Sequence, residues 1–138
     1  MAVITKTIRL TTQGNADVVD ITPQVSDMVR KLDIKDGIVN ISLSGSTGAI
    51  TTCEYEPGLI QDIKDVFNKL IPAGHYKHDQ AWGDGNGHSH LRSSVVGSSA
   101  SFSFNDHKMN LGTWQQIIFI DFDNRSRQRE IICQFVGE

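Results

Sequence analysis

Three β-rich runs close the chain: "SASFSF" (99–104), "QQIIFIDFD" (115–123) and "REIICQFV" (129–136). Short polar stretches, "ND" and "DNRSRQ", lie where the chain must turn between them. A parallel crossover needs a dozen or more residues, usually as a helix. Segments this rich in branched and aromatic side chains, joined this closely, are therefore expected to pair as antiparallel strands. That requirement limits the remaining segments to elements that can cover or extend such a sheet.

Upstream, "AVITKTIRL" (2–10) alternates and reads as a strand, as do "GIVNISLS" (37–44) and "GAITTCEYE" (48–56), joined across "GST". In the last of these, period two sets Ile50, Thr52, Glu54 and Glu56 on one face. Two stretches have helical spacing. "ITPQVSDMVRKLDIKDG" carries Val25, Met28, Val29 and Leu32 on one stripe, with Thr22 as the expected cap, Pro23 at the first helical position, and Gly37 where the chain turns out. "PGLIQDIKDVFNKLIP" repeats Leu59, Ile60, Ile63, Val66, Phe67 and Leu70 at helical spacing, with Pro72 closing it. The expected class is α+β, a mostly antiparallel sheet or sandwich with two main helices.

At 138 residues the chain can bury a core without staples, and it is expected to be a single domain over 1–138. A net charge of −3 and the lack of a basic run with interleaved aromatics argue against a nucleic-acid partner. No apolar run is long enough to span a membrane, and no secretory segment opens the chain, so the expected location is the cytoplasm. Cys53 and Cys133 read as buried, reduced thiols, since Cys53 has Glu54 rather than a cation beside it.

Chemistry concentrates in "HYKHDQAWGDGNGHSHLRSS" (75–94), which holds four of the five histidines. The stretch reads as a glycine-rich loop. If His88-Ser89-His90 is extended, both imidazoles leave one face and reach one ion, with His78 as third ligand and His75 or Glu54 behind it. Three protein ligands and an open position would suit a catalytic divalent metal, zinc first among the candidates. Arg92 would share that face and serve an anion. Gly83, Gly85 and Gly87 could form a nest of N–H groups for an anion. "GTWQQ" (112–116) sets Thr113 and Gln115 as polar groups at the mouth of an apolar strand, and His107 falls in a predicted hairpin turn. The competing reading of the histidines is a solvated polar loop.

"EYEPGLIQDI", "YKHD", "HSHLRSSVVGSS", "LGTWQQI" and a C-terminal "GE", in that order, resemble the YjbQ-like family, also described as secondary thiamine-phosphate synthase enzymes. The resemblance runs from about Ile21 to Glu138. It implies an α+β homotrimer with its polar residues near subunit contacts and a divalent metal in some members. The implied activity is a transferase that joins a hydroxymethylpyrimidine diphosphate to a thiazole phosphate and releases pyrophosphate. Carried over, the family's Tyr-x-His falls on Tyr76 and His78, and its histidine before Leu/Ile-Lys on His90, with Arg92 in the lysine's place. The family's acidic residue falls on Glu54, and its polar pair on Thr113 and Gln115. Glu54, His78 and His90 are thus the expected catalytic set. His78, His88 and His90 are the expected metal ligands, and Arg92, Thr113 and Gln115 the groups that hold a small phosphorylated substrate. One departure stands out. Where the family carries His-Thr-Thr, this chain has Gly45-Ser46-Thr47. The alternative function is therefore a non-enzymatic trimer that binds a metal or an anion.

Overall fold

The computed structural model describes residues 1–138. The chain runs β1 (Ala2–Thr12), β2 (Asp17–Asp20), α1 (Thr22–Lys31), β3 (Gly37–Leu43), β4 (Gly48–Cys53), α2 (Pro57–Leu70), α3 (Lys77–Trp82), α4 (Gly87–Val96), β5 (Ser99–Asn105), β6 (Lys108–Met109), β7 (Gln116–Asp121) and β8 (Arg127–Gly137). The strands form two sheets, ordered β1-β8-β3-β5-β6 and β2-β7-β4, and every pairing is antiparallel. The expected α+β class with mostly antiparallel sheets holds.

The sequence of β7 shows how the two sheets share an interior. Ile117 and Phe119 enter a core with Val25 and Val29 of α1 and with Val39, Ile41, Ile131 and Phe135 of the larger sheet. Ile118 and Ile120 point the other way, into a second cluster with Ala49 and Phe122, against which Ile60, Ile63 and Phe67 of α2 rest. Both faces of β7 are buried, so its run is continuously apolar rather than alternating. A fully buried isoleucine or phenylalanine contributes about 1.5–3 kcal/mol, and β7 alone supplies four side chains at 0–2% exposure.

Several boundaries move relative to the sequence reading. The first helix stops at Lys31, because Leu32 is already extended (φ −74°, ψ 152°) and is drawn with Ile34 into the core. Thr22 does not cap it. Asp20 accepts from the Thr22 N–H at 2.9 Å, while the Thr22 hydroxyl accepts from the Ile117 N–H at 2.8 Å and so pins the helix to β7. The strand predicted to reach residue 56 ends at Cys53. Glu56 instead turns its carboxylate onto the N–H groups of Gly58 and Leu59 and opens α2, and these bonds hold its pKa below the usual range. Gly37 is required not by a turn but by close approach: a Cβ there would lie 2.2 Å from the Val136 carbonyl oxygen.

The largest revision concerns residues 75–94. Residues 77–82 and 87–94 lie in α3 and α4, and only 75–76 and the glycine-bearing 83–86 remain loop. No helix of the chain is long and apolar enough to cross a membrane.

Candidate functional site

A sequence such as "GHSHLRSSVV" has little intrinsic preference for helix, since serine, histidine, valine and glycine all rank below alanine. Burial makes it helical. Ser93 donates to the Gly48 carbonyl of β4 at 2.6 Å, and Gly87, His88, Ser89, Arg92 and Ser93 are all buried. The N-terminal N–H of Gly87 is taken by the Asp79 carboxylate at 2.9 Å, whose second oxygen lies 3.3 Å from the Tyr76 N–H. These bonds lower the Asp79 pKa. The nest expected from Gly83, Gly85 and Gly87 is therefore filled by Asp79 at its last member. Gly87 is fixed by packing, since a Cβ would meet Tyr76 Cβ at 2.8 Å.

Helical geometry separates the two histidines read as a pair. Residues two apart on a helix leave different faces. His88 turns inward at 6% exposure, whereas His90 lies half-buried beside His78, ring centroids 4.4 Å apart and planes inclined by 39°. The three-histidine set is thus reduced to His78 and His90, and no group of three or more His, Cys, Asp or Glu side chains converges to hold a metal within one chain. His75 is exposed and joins neither. Burial, and then the charge of Arg92, lowers the pKa of His88.

Arg92 is also reassigned. Its guanidinium donates to the Ile71 carbonyl at 2.9 Å and, at 3.3 Å each, to the Phe67 carbonyl and Asn68 Oδ1, capping the C-terminus of α2. It lies 5.9 and 5.8 Å from the ring centroids of Phe67 and Phe122. With 4% of its surface exposed, this arginine holds a helix end and is not available as an anion clamp.

Glu54 lies elsewhere. It lines an open cleft of about 430 Å³ with Asp20, Glu56, Thr113 and Trp114. Along β4, the step from Gly48, where Ser93 is attached, to Glu54 is roughly 20 Å of extended chain. The helix α4 advances toward Glu54 from its attachment, since the Gly97 carbonyl accepts from the Ile50 N–H, and His90 lies a turn behind Ser93. Glu54 and the His78–His90 pair therefore cannot meet within one chain. Gln115 turns away from Thr113: its side chain accepts from the Gly112 N–H at 3.0 Å and reaches Thr52 at 3.4 Å.

The sequence reading missed a buried ionic network. Arg129 grips the fully buried Asp121 through Nε at 2.7 Å and Nη2 at 2.8 Å, and also donates to Thr47 at 2.7 Å. Thr47 and Arg127 donate to Asp123 at 3.1 and 2.8 Å, and Asn86 does so at 3.2 Å. Burial alone would raise the Asp123 pKa, but the Asn124 N–H, Asn86 and Arg127 outweigh it and hold the pKa low. Gly45 borders this network, and a Cβ there would lie 3.3 Å from Arg129 Nη1. The available signal was the spacing of Asp121, Asp123, Arg127 and Arg129 on facing ends of β7 and β8.

Of the buried side-chain polar atoms without a partner in the chain, four of five fall between His78 and Ser89: His78 Nδ1, Asn86 Oδ1, His88 Nδ1 and Ser89 Oγ. His78 Nδ1 lies 3.5 Å from Asp79 Oδ1, near enough for an ion pair when protonated but outside hydrogen-bond geometry. Orphaned groups cost about 1–3 kcal/mol each. Their concentration here marks the α3–α4 region as the least satisfied polar part of the chain.

A two-sheet antiparallel α+β fold, with a histidine pair at one end of the smaller sheet and a carboxylate cleft at the other, defines the class of protein. The profile of the UPF0047 protein YjbQ-like family matches residues 6–138, and the chain belongs to that family. It is 36% identical over 126 residues to a UPF0047 protein of Archaeoglobus fulgidus, covering 91% of this chain and 96% of that one. To the UPF0047 protein YugU of Bacillus subtilis it is 30% identical, covering 96% and 98%. A YbjQ-like protein of unknown function from Sulfolobus solfataricus, solved by crystallography, superposes with a TM-score of 0.93 at 32% identity, covering 99% of both chains.

Proposed function

We propose that the chain is a metal-assisted enzyme acting on a small phosphorylated substrate, with its site assembled between copies of a homotrimer. The observation that carries this reading is the His78–His90 pair, two imidazoles 4.4 Å apart at the surface end of a region rich in orphaned polar atoms. The donor set fits half a divalent-metal site, because neutral imidazole nitrogens suit zinc and its neighbours and a third ligand is needed. Glu54 of another copy is the third ligand or general base on this reading, with Thr113 beside it in the same cleft. When bound, such an ion supplies Lewis acidity and offsets the charge of a departing phosphate or pyrophosphate. The transfer of a pyrimidine diphosphate to a thiazole phosphate is the first reaction to assay.

A second reading, a non-enzymatic trimer that binds metal or anion, is favoured by Gly45. The side chain that the resemblance places there is missing, and Arg129 Nη1 borders the space instead.

Metal content by plasma mass spectrometry, on protein purified without chelator, tests the first reading. About one divalent ion per chain is expected, lost in His78→Ala/His90→Ala and in Glu54→Gln. Metal-free wild type after reconstitution would retire it. Metal without turnover of phosphorylated pyrimidine and thiazole precursors would select the second.

A further inference from the structure

The clefts on either side of the Thr113–Gln116 segment carry opposite charge. The Glu54 cleft is lined by Asp20, Glu54 and Glu56 and by no base. Across the segment lies a groove of about 470 Å³ between α1 and the β6 edge, lined by Arg30, His107 and Lys108 and by no carboxylate. Thr22, Ser26 and Arg30 recur every fourth residue and so form one wall from a single face of α1. His107, Lys108 and Gln115 form the other.

The basic wall is held in place. Asp106 and His107 occupy the left-handed region (φ 49° and 61°), the geometry of a tight hairpin turn between β5 and β6. The turn is tied down by the Asp106 N–H on Asp36 at 2.8 Å and the His107 N–H on the Lys35 carbonyl at 3.0 Å. His107 Nδ1 lies 3.4 Å from the Val29 carbonyl oxygen. An aspartate and a histidine at positive φ are uncommon outside such turns, and here the turn sets the His107 ring against α1 and leaves Lys108 exposed at the rim of the groove.

Neutralisation is incomplete. Asp27 is the one acid against Arg30, and it is shared with Lys31 at 2.9 Å, so one negative charge faces two positive ones. Lys108 has no acidic partner, since the pair formed by this hairpin is Lys35 with Asp106. In a chain of net charge −3, a groove with surplus positive charge focuses the field and draws anions there, away from the acidic cleft.

We infer that the groove between α1 and the β6 edge is a binding site for a compact, multiply charged oxyanion. Arg30 and Lys108 hold the charge, and the Ser26 hydroxyl supplies a further hydrogen bond. Arg30 offers the planar fork that suits phosphate and carboxylate, and Lys108 a point charge. The floor of Met109 and Leu111 leaves room for a small apolar body. The site requires no metal and does not depend on the His78–His90 reading.

The test is titration calorimetry of chelator-treated, full-length protein with inorganic pyrophosphate, and in parallel with citrate as a carboxylate of comparable charge. Wild type is expected to bind at least one of them with a dissociation constant below about 1 mM. Arg30→Gln/Lys108→Gln should weaken binding at least tenfold with an unchanged melting temperature, and Arg30→Lys should recover part of it. His78→Ala/His90→Ala should bind as wild type does. Raising the salt concentration should weaken binding, because the contacts are exposed. Pyrophosphate without citrate binding identifies a phosphate site, and the reverse a carboxylate site. Equal binding by the double variant, loss only in the histidine variant, or no binding of either anion to wild type would overturn the inference.

Discussion

The Arg129 network and the His78–His90 pair are both polar, and both involve the smaller sheet. In the network the two arginines meet two carboxylates, threonines and the amide of Asn86, and every carboxylate oxygen of Asp121 and Asp123 accepts a hydrogen bond. Along α3 and α4, His78 Nδ1, His88 Nδ1 and Ser89 Oγ have none. Saturated polarity inside a fold is structure, because removing either partner strands a buried charge. Unsaturated polarity is an opening toward something else.

The largest expected effect falls on the saturated region. Arg129→Met leaves Asp121 uncompensated at 0% exposure and should cost about 3–5 kcal/mol in urea unfolding. Adding Asp121→Asn should restore part of the loss. His78→Ala/His90→Ala, by contrast, should cost about 1 kcal/mol or less. Equal losses in the two regions would break the distinction. Next in size, Arg92→Met removes charge-assisted bonds to the carbonyls ending α2 but keeps the apolar stem, for a loss of about 2–3 kcal/mol. A neutral result would return Arg92 to the pool of ligand-binding residues.

The smallest effect is one of pH. His88 is protonated less readily in the folded chain than in the unfolded one, so the unfolded state binds more protons and stability rises with pH. That contribution is lost as pH falls through about 6.5, the ordinary histidine value. Asp123, with a lowered pKa, loses its contribution only in the carboxylate range well below this. The fall in melting temperature between pH 7.5 and pH 5.5 should therefore shrink in His88→Gln. An unchanged slope would mean that His88 is not the group titrating.

The larger elements were legible because their signals were local. Periodicity gave α2, and branched residues gave β3, β7 and β8. What could not be read depended on distance along the chain. The helix α4 has no strong local preference and exists because Ser93 finds Gly48 and Arg92 finds the end of α2. Once it is helical, the His-x-His spacing that suggested a shared ion instead divides the pair between core and surface. Glu56 reads as a strand residue in the sequence because a carboxylate reaching back to its own chain leaves no period. The network of Arg129 escaped because its members are scattered from Thr12 to Arg129, and only the sheet register brings them together.

The separation of Glu54 from His78 and His90 along β4 also bears on dosage. On the proposed reading the site is divided between copies, and dilution far enough to separate them would dim its activity. Two chains, each disabled at a different end, would restore one intact site between them when mixed. On the proposed reading, this protein's chemistry belongs to its encounters, and the single chain is only the part that keeps the halves in order.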